Sequence, residues 1–383
     1  MNVILMTGEG YPKRFSANNS KSEFIARGLK ECGCSVSIID GAFGAYGIRE
    51  EMSGISENGI DYCIFPRTNR LKSFFVNLPK LWKNLKNKKR KGEVNHIIIG
   101  MEMVPFIYVY FAMAWLLGYS RSCLFHEWHA GLSQGFVSKI RGCLLDYTFG
   151  YFVNAIFPIG HFLREKCNRF HKPNMLIPIL ADFDVKYQRQ KIASHFTYCC
   201  AGEYLLRNTL VLDSFRELHK QEQYRDVQLV LVIQGNDRVL KKTQELVQSY
   251  ADNENIIVKN KVPRQELNEI FASSIGLLIP LDPNSLQDKA RFSQKIAEYV
   301  AMRRPIITSA VGEIPFYFKD KESAILASYD VAGYSEAMRF LVDNKSSADE
   351  IGENGFIVGQ YSFDYRECGK KIKDFLNTIC QYK

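Results

Sequence analysis

Three charged residues recur at helical spacing within residues 288–318, namely Arg291, Lys295 and Glu298. Residues three and four apart are neighbours on a helix, so these side chains are expected on one side of it. A cation beside a carboxylate, close to the phosphate-attracting N-terminus of a helix near Phe292, is chemistry suited to an anionic ligand. The alternative is an exposed Lys–Glu pair on an ordinary α/β helix.

The elements around these residues are predicted by local signals. Phe292 and Ile296 belong to an apolar stripe with helical period. Pro305 ends the helix, because the residue before a proline avoids helical angles. A β-branched strand over 306–308 and a loop over 309–313 follow. Helix, turn, strand and loop in this order can gather polar side chains around one point.

A glycine-containing loop follows the first predicted strand, residues 2–6, and precedes a helix over about 20–32. Strand, loop and helix in this order are typical of a nucleotide-binding βα unit. The loop contains Gly8 and Gly10 but lacks the third glycine of a dinucleotide fingerprint, which argues against a nicotinamide site. The alternative for both glycines is a plain turn.

A histidine stands at the end of another predicted strand, residues 122–125, where His126-Glu127-Trp128-His129 begins. Open α/β sheets bind ligands at the carboxyl ends of their strands. His126 is therefore a candidate for the reaction centre, and a hydrogen-bonded structural histidine is the alternative. The H-E-x-H spacing differs from the H-E-x-x-H of a helical zinc site.

Length and composition favour a soluble globular protein of two domains, since 383 residues exceed the usual size of one core. Hydrophobic residues make up 46% and charged residues 24%. The ten cysteines have scattered spacings without a zinc pattern, which favours free thiols in a reducing cytoplasm. The start of the chain does not resemble a signal peptide. The longest apolar run, 104–118, is predicted to be a helix that covers the sheet and is too short to span a membrane.

Short apolar strands alternate with helices along the chain, which predicts doubly wound parallel sheets. The first half adds strands over 35–39, 62–65, 96–99 and 154–159. The second half restarts the alternation, with six strands predicted over 196–200, 228–233, 255–258, 276–279, 306–308 and 324–326. A polar stretch, 185–191, is expected to join the two domains.

The net charge of +9 is concentrated in part in residues 67–91, which contain ten lysines and arginines. Phe75, Leu78 and Trp82 are interleaved with them. Such a segment suits the surface of an anionic membrane, with the apolar side chains in the interface. A solvated helix packed on the sheet is the alternative. Nucleic acid ranks last, since no binding motif for it is present.

Residues 292–313 resemble the donor-sugar segment of retaining GT-B glycosyltransferases of family 4, the glycosyl transferases group 1. Glu298 matches the second glutamate of the family's E-x7-E pattern, Lys295 fits a variant of it, and Ala290 stands where the first glutamate is expected. The His126 loop resembles the family's histidine loop. Asn18-Asn19-Ser20 replaces the usual Gly-Gly pair.

The loop at Gly202 resembles the family's grip on the donor diphosphate, with Arg207 near the place of the family's lysine. Guanidinium binds phosphate well, so Arg207 can serve, and a solvated Arg207 is the alternative. Glu203 stands in the place of an arginine and departs from the pattern.

The resemblance implies a GT-B fold of two Rossmann-like domains whose parallel sheets face an interdomain cleft. It implies an acceptor-side domain over 1–185, a nucleotide-sugar-binding domain over 186–361, and a C-terminal helix over 362–383 that crosses back to the first domain. It also implies a site whose catalytic residues are His126, Arg207 and Glu298. Donor binding is assigned to five further residues: Gly10, Gly202, Phe292, Ser293 and Lys295.

The activity implied is retaining transfer of a sugar from a nucleotide-sugar to a hydroxyl group, without a metal ion or other cofactor. The expected acceptor is a glycan or a lipid-linked sugar of cell-envelope polysaccharide or glycolipid assembly, met in the cytoplasm or on the inner face of the membrane. Ala290 and Glu203 motivate the alternative, a GT-B protein that has lost turnover and acts as a binding or partner subunit. A GT-B sugar-nucleotide epimerase matches the segment and the histidine loop less well.

Overall fold

The computed structural model describes residues 1–14, 16–101, 106–132, 135–184, 194–206, 208–250 and 253–381. The chain forms two compact units, each of which is discontinuous in sequence. Unit 1 comprises Met1–Asp182, Ala290–Gln294 and Phe363–Lys383, and unit 2 comprises Phe183–Lys289 and Lys295–Ser362. The linker expected over 185–191 lies outside the described residues.

Unit 1 is built on a seven-stranded sheet with the order β3-β4-β2-β1-β5-β6-β7. Its strands are β1 (Asn2–Thr7), β2 (Ser35–Asp40), β3 (Met52–Ile55), β4 (Asp61–Ile64), β5 (Asn95–Gly100), β6 (Ser120–Phe125) and β7 (Ala155–Pro158). Strands β1 and β5 are buried along their whole length, as expected for parallel strands covered on both faces.

The edge strand β3 runs antiparallel to β4, whereas the other neighbouring pairs in this sheet are parallel. The sequence did not predict β3, because its four residues lack an apolar run and alternate between exposed and partly buried. The sheet of unit 1 is therefore parallel except at this edge.

The second sheet lies in unit 2 and is parallel throughout, with the order β10-β9-β8-β11-β12-β13. Its strands are β8 (His195–Ala201), β9 (Gln228–Gln234), β10 (Ile256–Asn260), β11 (Gly276–Ile279), β12 (Ile306–Thr308) and β13 (Ile325–Leu326). The six strands predicted for the second half of the chain are the six strands of this sheet, which confirms the expected fold of this region.

The α-helices cover the sheets or connect their strands. In chain order they are α1 (Ala17–Glu31), α2 (Arg70–Lys88), α3 (Ile107–Leu116), α4 (His129–Leu132), α5 (Phe136–Thr148), α6 (His161–Cys167), α7 (Gly202–Leu205), α8 (Leu210–His219), α9 (Asp237–Gln248), α10 (Arg264–Ser273), α11 (Leu286–Ala290), α12 (Gln294–Ala301), α13 (Ile314–Tyr317), α14 (Val331–Asp343), α15 (Lys345–Phe363) and α16 (Tyr365–Gln381). Among the described residues, no helix is both long enough and apolar enough to cross a membrane.

The last helix, α16, belongs to unit 1 and packs on α1. Its apolar side chains Ile372 and Leu376 are fully buried and share a core with Ile25 and Leu29 of α1. The end of the chain therefore completes the core in which the chain begins.

One predicted helix is divided in the structure. The sequence predicts a loop at Gly202-Glu203 and then a single helix through Leu218, whereas α7 begins at Gly202 and ends at Leu205, and α8 begins at Leu210. The side-chain oxygen of Asn208 accepts a hydrogen bond from Leu210 N at 3.1 Å, a local bond that competes with a continuous helix.

Candidate functional site

The β1–α1 loop in unit 1 is fastened to the end of β2 through Gly10. The Gly10 N–H donates to Asp40 Oδ1 at 3.2 Å, and the Thr7 hydroxyl donates to the same oxygen at 3.2 Å. Gly10 has a φ of 74°, and a Cβ there would lie 2.7 Å from Ala45 Cβ. Only glycine fits this backbone. The conformation of the loop therefore explains a glycine at position 10, whether or not Gly10 also binds a ligand.

Two asparagines hold the same loop from α1. Asn19 Nδ2 donates to Glu9 O at 3.2 Å and to Arg14 O at 2.8 Å, while Asn18 Nδ2 donates to Glu9 Oε1 at 3.1 Å. Ser16 is the N-cap of α1. The residues that replace the expected Gly-Gly pair thus fix the loop with side-chain hydrogen bonds.

His126 follows β6 in unit 1, and its pKa is lowered by Lys21, a residue that belongs to no sequence motif. Lys21 of α1 is buried, and its ammonium donates to Ile177 O at 2.9 Å. Burial lowers the pKa of Lys21 to about 7. Burial and the charge of Lys21 hold the pKa of His126 well below its usual range, so its imidazole is neutral at neutral pH. His126 Nε2 is buried without a hydrogen-bond partner among the described residues.

The neighbouring histidine has a different environment. His129 Nδ1 lies 2.9 Å from Asp146 Oδ1, and Ala130 N donates to Asp146 Oδ2 at 2.8 Å. Asp146 is buried, so the contact positions the loop between β6 and α5. His129 is therefore held by a structural partner, whereas the Nε2 atom of His126 is not.

Asp40, at the end of β2, is a further buried ionisable group near the Gly10 loop. Burial raises the pKa of its carboxyl to about 7, against the hydrogen bonds from Gly10 and Thr7, which favour the charged form. Asp40 and Lys21 both titrate near neutrality in this unit. Neither residue belongs to a sequence motif, so only their burial in the structure reveals their shifted pKa values.

The short segment Ala290–Gln294 belongs to unit 1. Arg291 precedes α12 and pairs with Glu127, next to His126, at an N–O distance of 2.8 Å. The expectation that Arg291 shares a helix side with Lys295 and Glu298 is therefore wrong. Phe292 is buried, with its ring centre 5.5 Å from that of Phe363.

The N-terminus of α12 lies two residues later than expected. The helix begins at Gln294, whose side chain bonds to the backbone of Leu180, so Phe292 and Ser293 precede its first residue. Ser293 is partly buried. Ala290, at the place of the missing first glutamate, is buried at the end of α11.

In unit 2, the carboxylate of Glu298 pairs with Arg264 of α10 at 3.2 Å. The Glu298 side chain is 11% exposed and that of Arg264 is 43% exposed. Lys295 makes no ion pair or hydrogen bond with a described residue, so the expected alternative of a Lys295–Glu298 pair is not formed. The charges of Lys295, Glu298 and Arg264 all act on Cys199, near the end of β8, whose thiol pKa burial raises to about 11.

Gly202 begins α7 directly after β8. A Cβ at this position would lie 2.5 Å from Val239 Cγ1 and 2.8 Å from Ile233 Cγ2, so close packing requires glycine here. Glu203 is exposed. Arg207, the third expected catalytic residue, lies outside the described residues.

A polar cluster near Gly202 was not predicted from the sequence. Asn208 Nδ2 donates to Tyr329 Oη at 2.7 Å and to Tyr204 Oη at 3.3 Å. Burial and then the charge of Asp288 raise the pKa of Tyr204. Gly312 has a φ of 61°, and a Cβ at this position would lie 2.7 Å from Asp288 O, which is too close. Tyr204, Asn208, Asp288, Gly312 and Tyr329 are thus brought together from separate parts of the sequence of unit 2.

The basic segment 67–91 contains α2, whose inner side packs on unit 1 through Phe74, Leu81 and Leu85. Phe75 is 67% exposed, as the membrane interpretation requires. Leu78 and Trp82 are partly buried, so they are less available to a membrane interface than expected.

Among the described residues there is no group of three or more His, Cys, Asp or Glu side chains suited to a metal ion.

Comparison with known proteins finds a family match in the second half of the chain. Residues 197–344 match the family model described as glycosyl transferases group 1. No curated protein matches the sequence. The resemblance inferred from the donor-sugar segment is thereby confirmed over these residues, which include Gly202, Lys295 and Glu298.

Solved structures extend the likeness to the whole chain. Sucrose-phosphate synthase of Thermosynechococcus elongatus aligns with a TM-score of 0.73 at 13% identity, over 100% of both chains. HepE of Anabaena, solved in complex with UDP-glucose, aligns with a TM-score of 0.72 at 10% identity, over 99% of this chain and 100% of that chain. A glycosyltransferase of Rickettsia africae aligns with a TM-score of 0.72 at 10% identity, over 100% and 99%. These likenesses show the GT-B fold.

Proposed function

We propose that the chain, whose residues 197–344 match the group 1 glycosyltransferases and whose fold is GT-B, transfers a sugar from a nucleotide-sugar to a hydroxyl acceptor, with retention of configuration. The observation that carries the proposal is the Glu298 carboxylate, which Arg264 holds on the same helix as Lys295. The Lys295 ammonium has no ion-pair partner among the described residues. The donor is a substrate, and the proposed reaction uses no metal ion or other cofactor.

Unit 2 holds the donor in this proposal. Glu298 accepts hydrogen bonds from the ribose hydroxyls, in an orientation that its contact with Arg264 restricts. Negative charge develops on the leaving diphosphate, and fixed cations stabilise such charge in the transition state. Lys295 and Arg207 supply these cations. Gly202 completes the phosphate site of this unit. The backbone N–H groups at Phe292 and Ser293, which belong to unit 1, are also assigned to donor binding.

Unit 1 holds the acceptor. His126 lies at the reaction centre, where its neutral imidazole can accept or donate a hydrogen bond through the unpaired Nε2. Lys21 supports this role, because its charge disfavours protonation of His126. The Gly10 loop, fixed by Asp40 and Asn19, shapes the approach to this centre.

The acceptor is a glycan or a lipid-linked sugar in cell-envelope polysaccharide or glycolipid assembly, and we place the enzyme on the cytoplasmic face of a membrane. The basic residues of segment 67–91 support this part of the proposal, since anionic lipids attract such clusters. Phe75 is the outward apolar residue of that segment.

Thermal denaturation with a panel of nucleotide-sugars tests the donor assignment. HepE was solved with UDP-glucose, so UDP-sugars come first, followed by GDP- and ADP-sugars. A ligand at 100 times its Kd stabilises the native state by about 2.7 kcal/mol, which raises the Tm measurably. If no nucleotide-sugar raises the Tm, the donor site is wrongly assigned. Stabilisation without nucleotide release, across soluble and lipid-linked acceptors, favours instead a binding subunit without turnover.

A further inference from the structure

Helix α5 of unit 1 exposes an apolar face that no part of the described chain covers. Phe136 is 81% exposed, Val137 61%, Ile140 51%, Leu144 60% and Tyr147 50%. Tyr151 and Phe152, just beyond the helix, continue it with exposures of 60% and 47%. We call these seven residues the α5 face. Isolated exposed apolar side chains are ordinary, but a contiguous set of this kind marks an interaction surface.

The α5 face points directly away from the protein. At about 100° per residue, the five residues on the helix span an arc of about 100°. Gly142, Leu145 and Asp146 lie on the opposite side and are buried. At Gly142 the helix lies so close to α4 that a Cβ would be 2.7 Å from His129 O. The outer side of the helix therefore carries more large apolar side chains than its inner side, which includes Asp146.

Cations border the α5 face. Lys139 lies on one flank of the apolar arc and Arg141 on the other, and both are exposed. The Arg169 guanidinium lies 4.2 Å from the ring centre of Tyr147, and Arg121 donates to Phe152 O at 2.6 Å. The sole carboxylate within residues 136–152 is that of Asp146, which is buried. The border is therefore positive.

Exposed apolar side chains bordered by cations favour an anionic membrane over a second copy of the chain as the partner of the α5 face. Two copies joined through the α5 face would bring together surfaces of the same positive charge, which opposes association. An anionic bilayer offers both complements, since its head groups pair with the cations and its acyl chains receive Phe136, Ile140 and Leu144. Tyr147 and Tyr151 carry an apolar ring with a polar tip, the side-chain type enriched where hydrocarbon meets water.

We propose that the α5 face docks unit 1 on an anionic membrane surface, with α5 lying in the plane of the interface. The inference deepens the proposed function and rests on it for the reason to visit a membrane, because it names the surface where a lipid-linked acceptor is met. The exposure and charge of α5 favour this surface, whereas segment 67–91 keeps Leu78 and Trp82 partly buried.

The test is co-sedimentation of the full chain with vesicles, without nucleotide-sugar or acceptor. Vesicles of phosphatidylcholine alone are compared with vesicles in which one third is phosphatidylglycerol. We expect binding to the anionic vesicles, weak binding to the neutral ones, and release as salt screens the charges. The double variant Ile140→Ser with Leu144→Ser should lower the partition coefficient at least about 10-fold. The pair Lys139→Glu with Arg141→Glu should lower it by a similar factor.

Two double variants on helices of unit 2 serve as matched controls. Ile357 and Tyr361 of α15 are 54% and 82% exposed, so Ile357→Ser with Tyr361→Ser controls for lost apolar surface. Lys241→Glu with Lys242→Glu on α9 controls for the change of net charge. Both controls should leave the partition coefficient within about 2-fold, since both sites belong to unit 2 and not to the α5 face. All these side chains are exposed, so a Tm near that of the wild type verifies folding.

Three results overturn the proposal. The first is no binding of the wild type to anionic vesicles at low salt. The second is loss of binding in Phe75→Ser with Val76→Ser on α2 but not in the α5 variants, which assigns the membrane surface to segment 67–91. The third is a wild-type dimer that the α5 variants convert to a monomer without change in vesicle binding. A failure of catalysis leaves the vesicle result unaffected, so the two proposals fail separately.

Discussion

At the scale of single residues, Glu298 differs from an ordinary surface glutamate because its carboxylate is mostly buried and faces Arg264. We predict that Glu298→Ala weakens nucleotide-sugar binding by about 10- to 150-fold, which corresponds to a lost hydrogen bond to a charged group. Folding should survive, since Arg264 is partly exposed and remains solvated. Isothermal titration of the folded variant measures the change. Glu322→Ala, an exposed residue paired with Lys319 in the same unit, is the control.

The two histidines of the β6 loop are expected to separate activity from stability. His126→Ala should reduce kcat strongly with little change in Tm, because its Nε2 has no partner among the described residues. His129→Ala should lower the Tm, since it removes a partner of the buried Asp146, at a cost of about 1–3 kcal/mol. Turnover and thermal denaturation of both variants check this. Equal effects on kcat would remove His126 from the reaction centre.

Because of Lys21, the free energy of unfolding should rise with pH between about pH 7 and pH 10.5. Its pKa is about 7 in the folded chain and 10.5 when unperturbed, so the unfolded state binds more protons between these values. Stability from this group is therefore complete above pH 10.5 and lost as the pH falls to about 7, with a slope of up to about 1.4 kcal/mol per pH unit.

The variant Lys21→Met lacks this titration, so the free energy of unfolding of the wild type should approach that of the variant as the pH rises from 7 to 10. Urea denaturation at pH 7, 8, 9 and 10 measures the difference. Lys30→Met, which alters an exposed lysine bonded to Gly59 O, should run parallel to the wild type. A constant difference between wild type and Lys21→Met would show that Lys21 keeps its proton in the folded state.

At the scale of elements, the contact between α1 and α16 depends on two glycines. An ideal Cβ on Gly369 would lie 2.3 Å from the carbonyl carbon of Gly28, and one on Gly28 would lie 2.3 Å from Tyr365 O. Backbone meets backbone here, so no side chain can move aside to make room.

We expect Gly369→Ala to destabilise unit 1 by about 1–3 kcal/mol, although alanine favours a helix by about 1 kcal/mol over glycine. The free energy of unfolding from urea denaturation measures the loss. Lys370→Ala changes an exposed residue of the same helix and should have little effect. A stabilised Gly369→Ala variant would mean that helix propensity outweighs the close approach.

At the scale of the whole molecule, the discontinuous units predict which region the end of the chain supports. Deletion of residues 363–383 removes the buried side chains of Tyr365, Cys368, Ile372 and Leu376 from unit 1. Burial of such side chains contributes about 1.5–3 kcal/mol each, a sum comparable with the stability of a typical protein. Unit 1 should therefore lose its stable fold, although the deleted residues follow unit 2 in the sequence.

Hydrogen exchange of the truncated chain locates the damage. Amides of α1 and β1 should lose protection, while those of β8, β9 and β11 in unit 2 should keep theirs. Ile357→Ala, on the exposed side of α15, is the control and should leave both units protected. Loss of protection confined to unit 2 would contradict the assignment of α16 to unit 1.

Much of this protein follows from local signals in its sequence. The strands of both parallel sheets are short runs of apolar and β-branched residues, which are predictable because parallel strands are buried on both faces. The resemblance that the family match over residues 197–344 confirms was also recognisable from the sequence, since Glu298, Lys295 and the loop after Thr308 lie in one continuous segment. Spacing within a segment is preserved however the rest of the chain folds.

Other features depended on contacts between residues far apart in sequence. Arg264 reaches Glu298 from another helix, and Lys21 is buried against Ile177, so neither partner is visible in a local pattern. Strand β3 is too short and too polar to be recognised without the strand it pairs with. The outward side of α5 carries more large apolar side chains than its inner side, which includes Asp146, so the sequence pattern does not tell which side faces the protein. Only tertiary packing, which buries Gly142, Leu145 and Asp146, decides which side of that helix remains exposed.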